Sequence, residues 1–435
     1  MNSPLYEALS LHIEKKRERF HMPGHKGVLP APFGEIAPFD MTETPDTGCL
    51  YDGEGAPVET EKAFTELYES GATLLSAGGS TLCIQTMISL FCPVGSSILM
   101  SRNAHHSAVN TAVLLDLQPV WLQADAPSGV LTYGRITPEQ VRKSLEQNPD
   151  VSAVYITCPD YFGTLCDVRA ISAVCREFDK PLLIDNAHGA HLKFFDGLHP
   201  IECGADACSD SLHKTLPALT GGALLHLKNG SLKDEARRRM KQFGSTSPSY
   251  LIMLSCDMLI PRWEELKAEY IALAEKVAKL RQKAAEKGVW ACDDGLRDPV
   301  RLSLLFPENG KSAAEKLLYE TGIEAEYISA RHIVLLISPF NELDSAEKLI
   351  EKLSPLSENL SLPTISLPEK VCSLRKAALS PAEKIAVTDC VGRVCAVPAA
   401  PCPPGAAVIM PGEVIDKAAA ELLIQSGMSE IFVMK

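Results

Sequence analysis

The stretch that decides the fold is Leu182-Leu183-Ile184-Asp185-Asn186-Ala187-His188-Gly189-Ala190-His191. Three apolar residues end in a carboxylate, and small and polar residues follow. This is the pattern of a strand buried on both faces whose carboxyl end opens onto a loop. Around it, from about residue 58 to 230, helical stretches such as 58–70 and 82–91 alternate with short apolar runs. Those runs are Ser97–Met100, Pro119–Leu122, Ala153–Thr157, Leu182–Ile184 and Gly222–Leu227. Strands alternating with helices predict an α/β fold with a mainly parallel sheet covered on both faces. Ligands of such sheets sit beyond the carboxyl ends of the strands, where Asp185 stands.

The rest of the chain reads as further domains. Residues 1–20 predict an amphipathic helix carrying Leu5, Leu9 and Ile13, and 21–57 a Pro- and Gly-rich extended arm. Together they form an N-terminal region, 1–57, ahead of a large domain at 58–260. Residues 262–287 give the clearest helix, with Trp263, Leu266, Tyr270, Ala274, Val277 and Leu280 at three- and four-residue spacing and Gly288 as the stop. Strands at Arg301–Phe306 and His332–Ile337 around a helix at 311–321 predict a small α/β domain, 261–355. The Ser/Pro-rich stretch 354–368 predicts a linker, and 369–435 a third, C-terminal unit.

Composition bounds the function. A chain of 435 residues buries a large core without disulfides or structural metal. Its net charge of −13 argues against nucleic acid and anionic membranes as partners, and is compatible with a cationic substrate. Fourteen scattered cysteines without a CxxC pair fit neither a disulfide scaffold nor a common zinc spacing. The N-terminus has no apolar signal region, and no run of 18 apolar residues exists. The expectation is a reduced, cytoplasmic enzyme.

Four segments carry chemistry. Ser209-Asp210-Ser211-Leu212-His213-Lys214-Thr215 follows a strand-like stretch at Asp206–Cys208. A lysine among small hydroxyl residues at a strand end suits a Schiff-base role, because its amine becomes nucleophilic once desolvated. A loop lysine on the surface is the plainer alternative. Asp185 fits the carboxylate that pairs with a protonated pyridinium nitrogen, or else caps the next turn. Ala77-Gly78-Gly79-Ser80-Thr81 precedes a helical run. Its small residues, hydroxyls and helix amides make a phosphate cup, or simply a capped structural helix. Ser101-Arg102-Asn103-Ala104-His105-His106-Ser107 places His105 just past a strand, where an imidazole can lie flat on a planar cofactor. Adjacent histidines point apart and His21-Met22-Pro23-Gly24-His25 contains Pro-Gly, so no metal is expected at either.

These segments, in this order, resemble the fold-type I pyridoxal-phosphate decarboxylases of ornithine, lysine and arginine. The opening FHMPGHKG (20–27) resembles that family's N-terminal signature. GGST (78–81), RNAHHS (102–107), DNAHGAH (185–191) and SLHKTL (211–216) are similar to its active-site blocks. GIEAE (322–326), PCPPG (401–405) and MPGE (410–413) are similar to its small and C-terminal domains. The resemblance covers nearly the whole chain. It implies a transferase-like large domain with a mainly parallel sheet, a small α/β domain and a C-terminal α+β domain.

Roles follow from that resemblance. Lys214 would carry pyridoxal 5'-phosphate, Asp185 pair with its ring nitrogen, His105 stack on the ring and His188 lie beside it. Gly79, Ser80, Thr81, Ser211 and His213 would hold the phosphate. Gly244–Pro248, with Thr246, would reach a neighbouring subunit's site, implying a homodimer. Glu326 would face the substrate's basic end. FHMPGHKG begins at residue 20, so the chain resembles the short form without an N-terminal wing domain. The implied reaction is decarboxylation of a basic amino acid: arginine to agmatine first, in polyamine biosynthesis, with lysine or ornithine as alternatives. An aminotransferase or lyase of the same fold, or a non-catalytic cofactor-binding protein, also stays open. Three positions depart from the family pattern: Asn186 where an acidic residue is usual, Cys402 where an aromatic is, and Asp160 where a threonine is.

Overall fold

The computed structural model describes residues 2–124, 135–290, 295–307, 311–328, 332–355, 367–399 and 407–435. Its strands are, in chain order, β1 (Ala72–Ser76), β2 (Ser97–Ser101), β3 (Gln118–Leu122), β4 (Val154–Thr157), β5 (Leu182–Asp185) and β6 (Ala207–Ser211). They continue with β7 (Ala223–Leu227), β8 (Arg301–Leu305), β9 (Tyr327–Ile328), β10 (His332–Leu336), β11 (Ala382–Ala386) and β12 (Glu430–Met434). The chain divides into two compact units: Met1–Phe91 with Pro181–Ala268, and Cys92–Lys180 with Glu269–Lys435.

The first unit carries strands in the order β1-β7-β6-β5. β5 and β6 run parallel, and β7 is antiparallel to both β6 and β1. Every residue of these four strands is buried, which is why β5 and β7 read as mainly apolar runs without alternation. Helix Ala56–Tyr68 starts two residues before the predicted stretch, because Pro57 fits a first turn. It ends at Glu69, which adopts a left-handed φ of 53°. Its Phe64 and Tyr68 pack on Trp263, with ring centroids 6.3 and 5.3 Å apart, and Phe194 closes on the same indole at 4.9 Å. The N-terminal helix spans Pro4–Glu14 and buries Leu5 and Leu9. The arm after it has one short 3-10 turn, Ala37–Phe39.

Two strands extend the reading. The apolar pattern does not mark β1, whose five residues run straight into Ala77-Gly78-Gly79. β6 continues through Ser209, Asp210 and Ser211, which the sequence places after the strand. Those polar residues stay in the strand because Asp210 and Ser211 find buried partners.

The second unit holds β4-β2-β3, all parallel, and an antiparallel sheet β8-β10-β9. Helix Lys311–Thr321 follows β8, and Asp344–Lys352 follows β10, giving the expected α/β pattern. Antiparallel β11 and β12 flank helix Lys417–Gln425 around an apolar cluster that includes Cys390, Cys395, Ile409, Leu423 and Val433. The fold class is therefore α/β with a mainly parallel sheet. Residues 356–366 of the predicted linker and the block 401–405, with Cys402, lie outside the described residues. Among the described residues, no helix is long and apolar enough to cross a membrane.

Candidate active site

The first unit gathers most of the predicted residues at or just after the ends of β1, β5 and β6. Asp185 is the last residue of β5 and pairs in register with Ser209 of β6. It is 3% exposed, and its Oδ1 accepts the Ala187 amide at 3.1 Å. β6 passes directly into the one-turn helix Leu212–Thr215, which presents Lys214. Lys214 Nζ lies 3.0 Å from His188 Nε2, in the turn after β5. With the amine donating, His188 carries its own proton on Nδ1. Lysine, imidazole and carboxylate thus stand at the ends of two paired strands.

Gly79 opens the helix Gly79–Phe91 with a left-handed φ of 66°, and its amide donates to Gly221 O at 2.8 Å. A Cβ at Gly79 would meet nothing within 4 Å, so space lies in front of the turn. Ser80 Oγ and Ser211 Oγ are 2.7 Å apart, linking the start of that helix to the end of β6. His213 Nδ1 lies 3.1 Å from Gly222 O and 3.3 Å from the Gly221 amide, and burial lowers the pKa of its ring. Thr81 is exposed at the helix start. Paired hydroxyls, a glycine turn and free helix amides suit a phosphate group. A lysine beside a buried carboxylate suits a pyridine aldehyde. The residues present therefore fit pyridoxal 5'-phosphate.

A buried network behind this site was not anticipated. Asn186 Nδ2 donates to Asp210 Oδ1 at 2.7 Å. Asp210 Oδ2 meets His199 Nε2 at 3.1 Å and His226 Nε2 at 3.4 Å, and all three side chains are fully buried. Burial pushes the Asp210 carboxyl up, but the two imidazoles outweigh it and hold it below the usual carboxylate range. His226 Nδ1 pairs with Thr73 Oγ1 at 2.9 Å, and Tyr68 lies over His226 with centroids 4.1 Å apart. His199, Cys208 and Asp210 bring ligand-type atoms within 4.8 Å of one another, but the Asp210 carboxylate is already engaged. The sequence did hold a signal: an aspartate inside a buried strand demands partners.

Thr246 is exposed in the turn Gly244–Pro248, between helices Lys233–Phe243 and Tyr250–Asp257. In the second unit, His105 caps helix His106–Leu114: its Nδ1 accepts the Ser107 amide at 3.1 Å and lies 2.8 Å from Ser107 Oγ. That fixes the ring's rotation. Glu326 is exposed, and Tyr161 Oη donates to its Oε1 at 2.8 Å. Arg102 makes a two-point pair with Glu413, both bonds at 2.7 Å, and donates to Val408 O. This explains two of the family-like blocks, RNAHHS and MPGE, as partners in one buried contact.

Comparison with known proteins fits this geometry. Residues 3–293 match "Orn/Lys/Arg decarboxylase, major domain", and 364–425 match the C-terminal domain of the same family. The arginine decarboxylase of Bacillus subtilis (strain 168) is 27% identical, covering 95% of this chain and 91% of its own. The constitutive lysine decarboxylase of Escherichia coli (strain K12) is 22% identical over 97% of this chain and 76% of its own. A solved structure of the E. coli constitutive lysine decarboxylase superposes with a TM-score of 0.81 at 19% identity, covering 99% of this chain and 82% of that one. A Nostoc alanine–glyoxylate aminotransferase is more remote, with a TM-score of 0.55 at 16% identity over 68% of this chain and 84% of its own. With a family match over more than half its length, and a lysine 3.0 Å from a histidine that follows a strand ending in a buried aspartate, the chain belongs to the Orn/Lys/Arg decarboxylases, pyridoxal-phosphate-dependent enzymes that decarboxylate basic amino acids.

Proposed function

We propose that this chain converts arginine to agmatine and CO2, as a cytoplasmic homodimer serving polyamine synthesis. The observation that carries the chemistry is Lys214 Nζ held 3.0 Å from His188 Nε2, beside Asp185 at the end of the neighbouring strand. Arginine is favoured because the relatives named arginine decarboxylase are 26–27% identical over nearly the whole chain, against 22% for the named lysine decarboxylases.

When bound, pyridoxal 5'-phosphate supplies an electron sink for the pair left when a bond to Cα breaks. The chain's residues do the rest. Lys214 would hold the group through its amine. Asp185, buried and fixed by the Ala187 amide, keeps the ring nitrogen protonated. His188 orients the lysine amine and keeps it within reach of a proton acceptor. Ser80, Ser211, Thr81 and His213 with the Gly79 turn take the phosphate. His105, its rotation set by Ser107, is assigned the stacking role, and Glu326 the substrate's cationic end. Lys214 is also assigned the return of a proton to Cα. Thr246 is assigned to the partner subunit's site.

The test is product analysis of the purified holoenzyme with arginine, lysine and ornithine. Agmatine and CO2 from arginine, with a specificity constant above those for the other two, supports the reading. A keto acid in place of CO2, or equal use of lysine, overturns it.

A further inference from the structure

We infer that Tyr161 is a positioning residue for the charged end of the substrate, acting through Glu326. The inference rests on the proposed role of Glu326 and adds the device that aims it.

Glu326 is exposed, and a long acidic side chain on a surface samples many rotamers. Here Tyr161 Oη donates to Oε1 at 2.8 Å, while among the described residues Oε2 accepts no hydrogen bond. One oxygen is therefore anchored and the other is presented. A carboxylate fixed in this way meets a cation without first losing its rotational freedom.

Tyr161 is itself held from several sides. It is 6% exposed, and its ring packs edge-on against Phe162 and Tyr327, with centroids 6.1 and 5.7 Å away. Val334 of β10 joins the same apolar cluster. The backbone is bolted to β8: Arg301 Nη1 donates to Tyr161 O at 2.8 Å, and Ser303 Oγ donates to Phe162 O at 2.8 Å. The loop also closes on itself, since Asp160 Oδ1 accepts the amides of Phe162 at 3.0 Å and Thr164 at 2.6 Å. Gly163 has a left-handed φ of 88°, and a Cβ there would sit 2.7 Å from Arg301 Cγ. Nothing larger than glycine fits that approach. This rigid mount ends in one hydroxyl, 2.8 Å from the Glu326 Oε1 and 3.4 Å from the Glu326 carbonyl oxygen.

The test compares holoenzyme variants Tyr161→Phe, Glu326→Ala and the double variant. The readouts are KM and kcat for the preferred basic amino acid, the cofactor's visible absorbance, and binding of norleucine, which lacks the terminal charge. Tyr161→Phe keeps the ring and loses only the hydroxyl. We expect its KM to rise about fivefold to tenfold with kcat and absorbance unchanged, and norleucine binding to stay the same. In the Glu326→Ala background the same change should add nothing. If Glu326→Ala raises KM but Tyr161→Phe does not, the positioning role is wrong while Glu326 keeps its own. If Glu326→Ala leaves KM unchanged, the role of Glu326 falls and the inference with it. A norleucine effect equal to that on the basic substrate also overturns it, as the sign of a merely structural loop change.

Discussion

Asn186 Nδ2 donates a 2.7 Å hydrogen bond to Asp210 Oδ1, joining the residue after Asp185 to the residue before Ser211. One buried bond thus clamps the two strand ends that present Asp185 and Lys214. Asp210→Asn removes the charge that His199 and His226 answer, and should destabilise the fold by about 2–4 kcal/mol. Asn186→Asp sets two buried carboxylates against each other and should be as harmful. The exchanged pair, Asn186→Asp with Asp210→Asn, restores a carboxylate–amide contact and should recover part of the loss. Urea melts of the four proteins measure this coupling. Because Asp210 is held below its usual pKa, its stabilisation is present above about pH 4 and is lost at lower pH.

Asp160 shifts the other way. Burial raises its carboxyl to about 6, against the backbone and side-chain hydrogen bonds of Thr164 and the charges of Arg297 and Arg301, which lower it. The folded protein therefore holds this proton more tightly than the unfolded chain. No penalty exists below about pH 4, and the full penalty is present above about pH 6. Asp160→Asn keeps an acceptor for the two loop amides and removes the titration. Its stability relative to wild type should rise by roughly 1–3 kcal/mol between pH 4 and pH 7. Parallel melts at those two values check this, and a pH-independent difference would remove the assignment.

Arg102 and Glu413 are 6% and 3% exposed, and Glu413 Oε2 also accepts the Met410 amide at 2.8 Å. Glu413→Ala leaves a guanidinium buried without its carboxylate and should cost about 3–5 kcal/mol. Replacing both members, Arg102→Met with Glu413→Leu, should cost much less. The difference between single and double variants, read from denaturation midpoints, isolates the pair.

If Thr246 serves the partner's site, two inactive variants can complement each other. Lys214→Ala lacks its own lysine, and Thr246→Arg blocks the site across the dimer. Mixed after dissociation, they should regain about a quarter of wild-type activity, because half of the dimers are mixed and each holds one intact site. No recovery would mean that each subunit's site is its own.

Much of this was legible in sequence, and the reason is physical. Strands buried on both faces leave unbroken apolar runs, so β2, β4, β5 and β7 stand out along with the long helix after residue 262, and the half-buried edge strand β3 is marked by the short apolar run Pro119–Leu122. Lys214, Asp185 and His188 sit at or just past the ends of two strands, which mark them in the sequence. The Asp210 network was harder to see, because its members come from three separate stretches, 186, 199–210 and 226, and meet only through folding. Tyr161 was hidden for the same reason: it lies 165 positions from Glu326. Asp160 and Asn186 looked like departures from a pattern. In the structure each has a definite partner set, one the loop amides and the other Asp210.

The central claim is that Lys214 is the group on which this decarboxylase turns. The most direct measurement is release of labelled CO2 from carboxyl-labelled arginine by the wild-type holoenzyme and by Lys214→Ala, with the cofactor's visible absorbance followed in both. The account predicts sustained release and a lysine-linked absorbance band in the wild type, and loss of both in the variant. Sustained release by Lys214→Ala, or a wild-type protein that binds the cofactor but frees no CO2 from any basic amino acid, would contradict it.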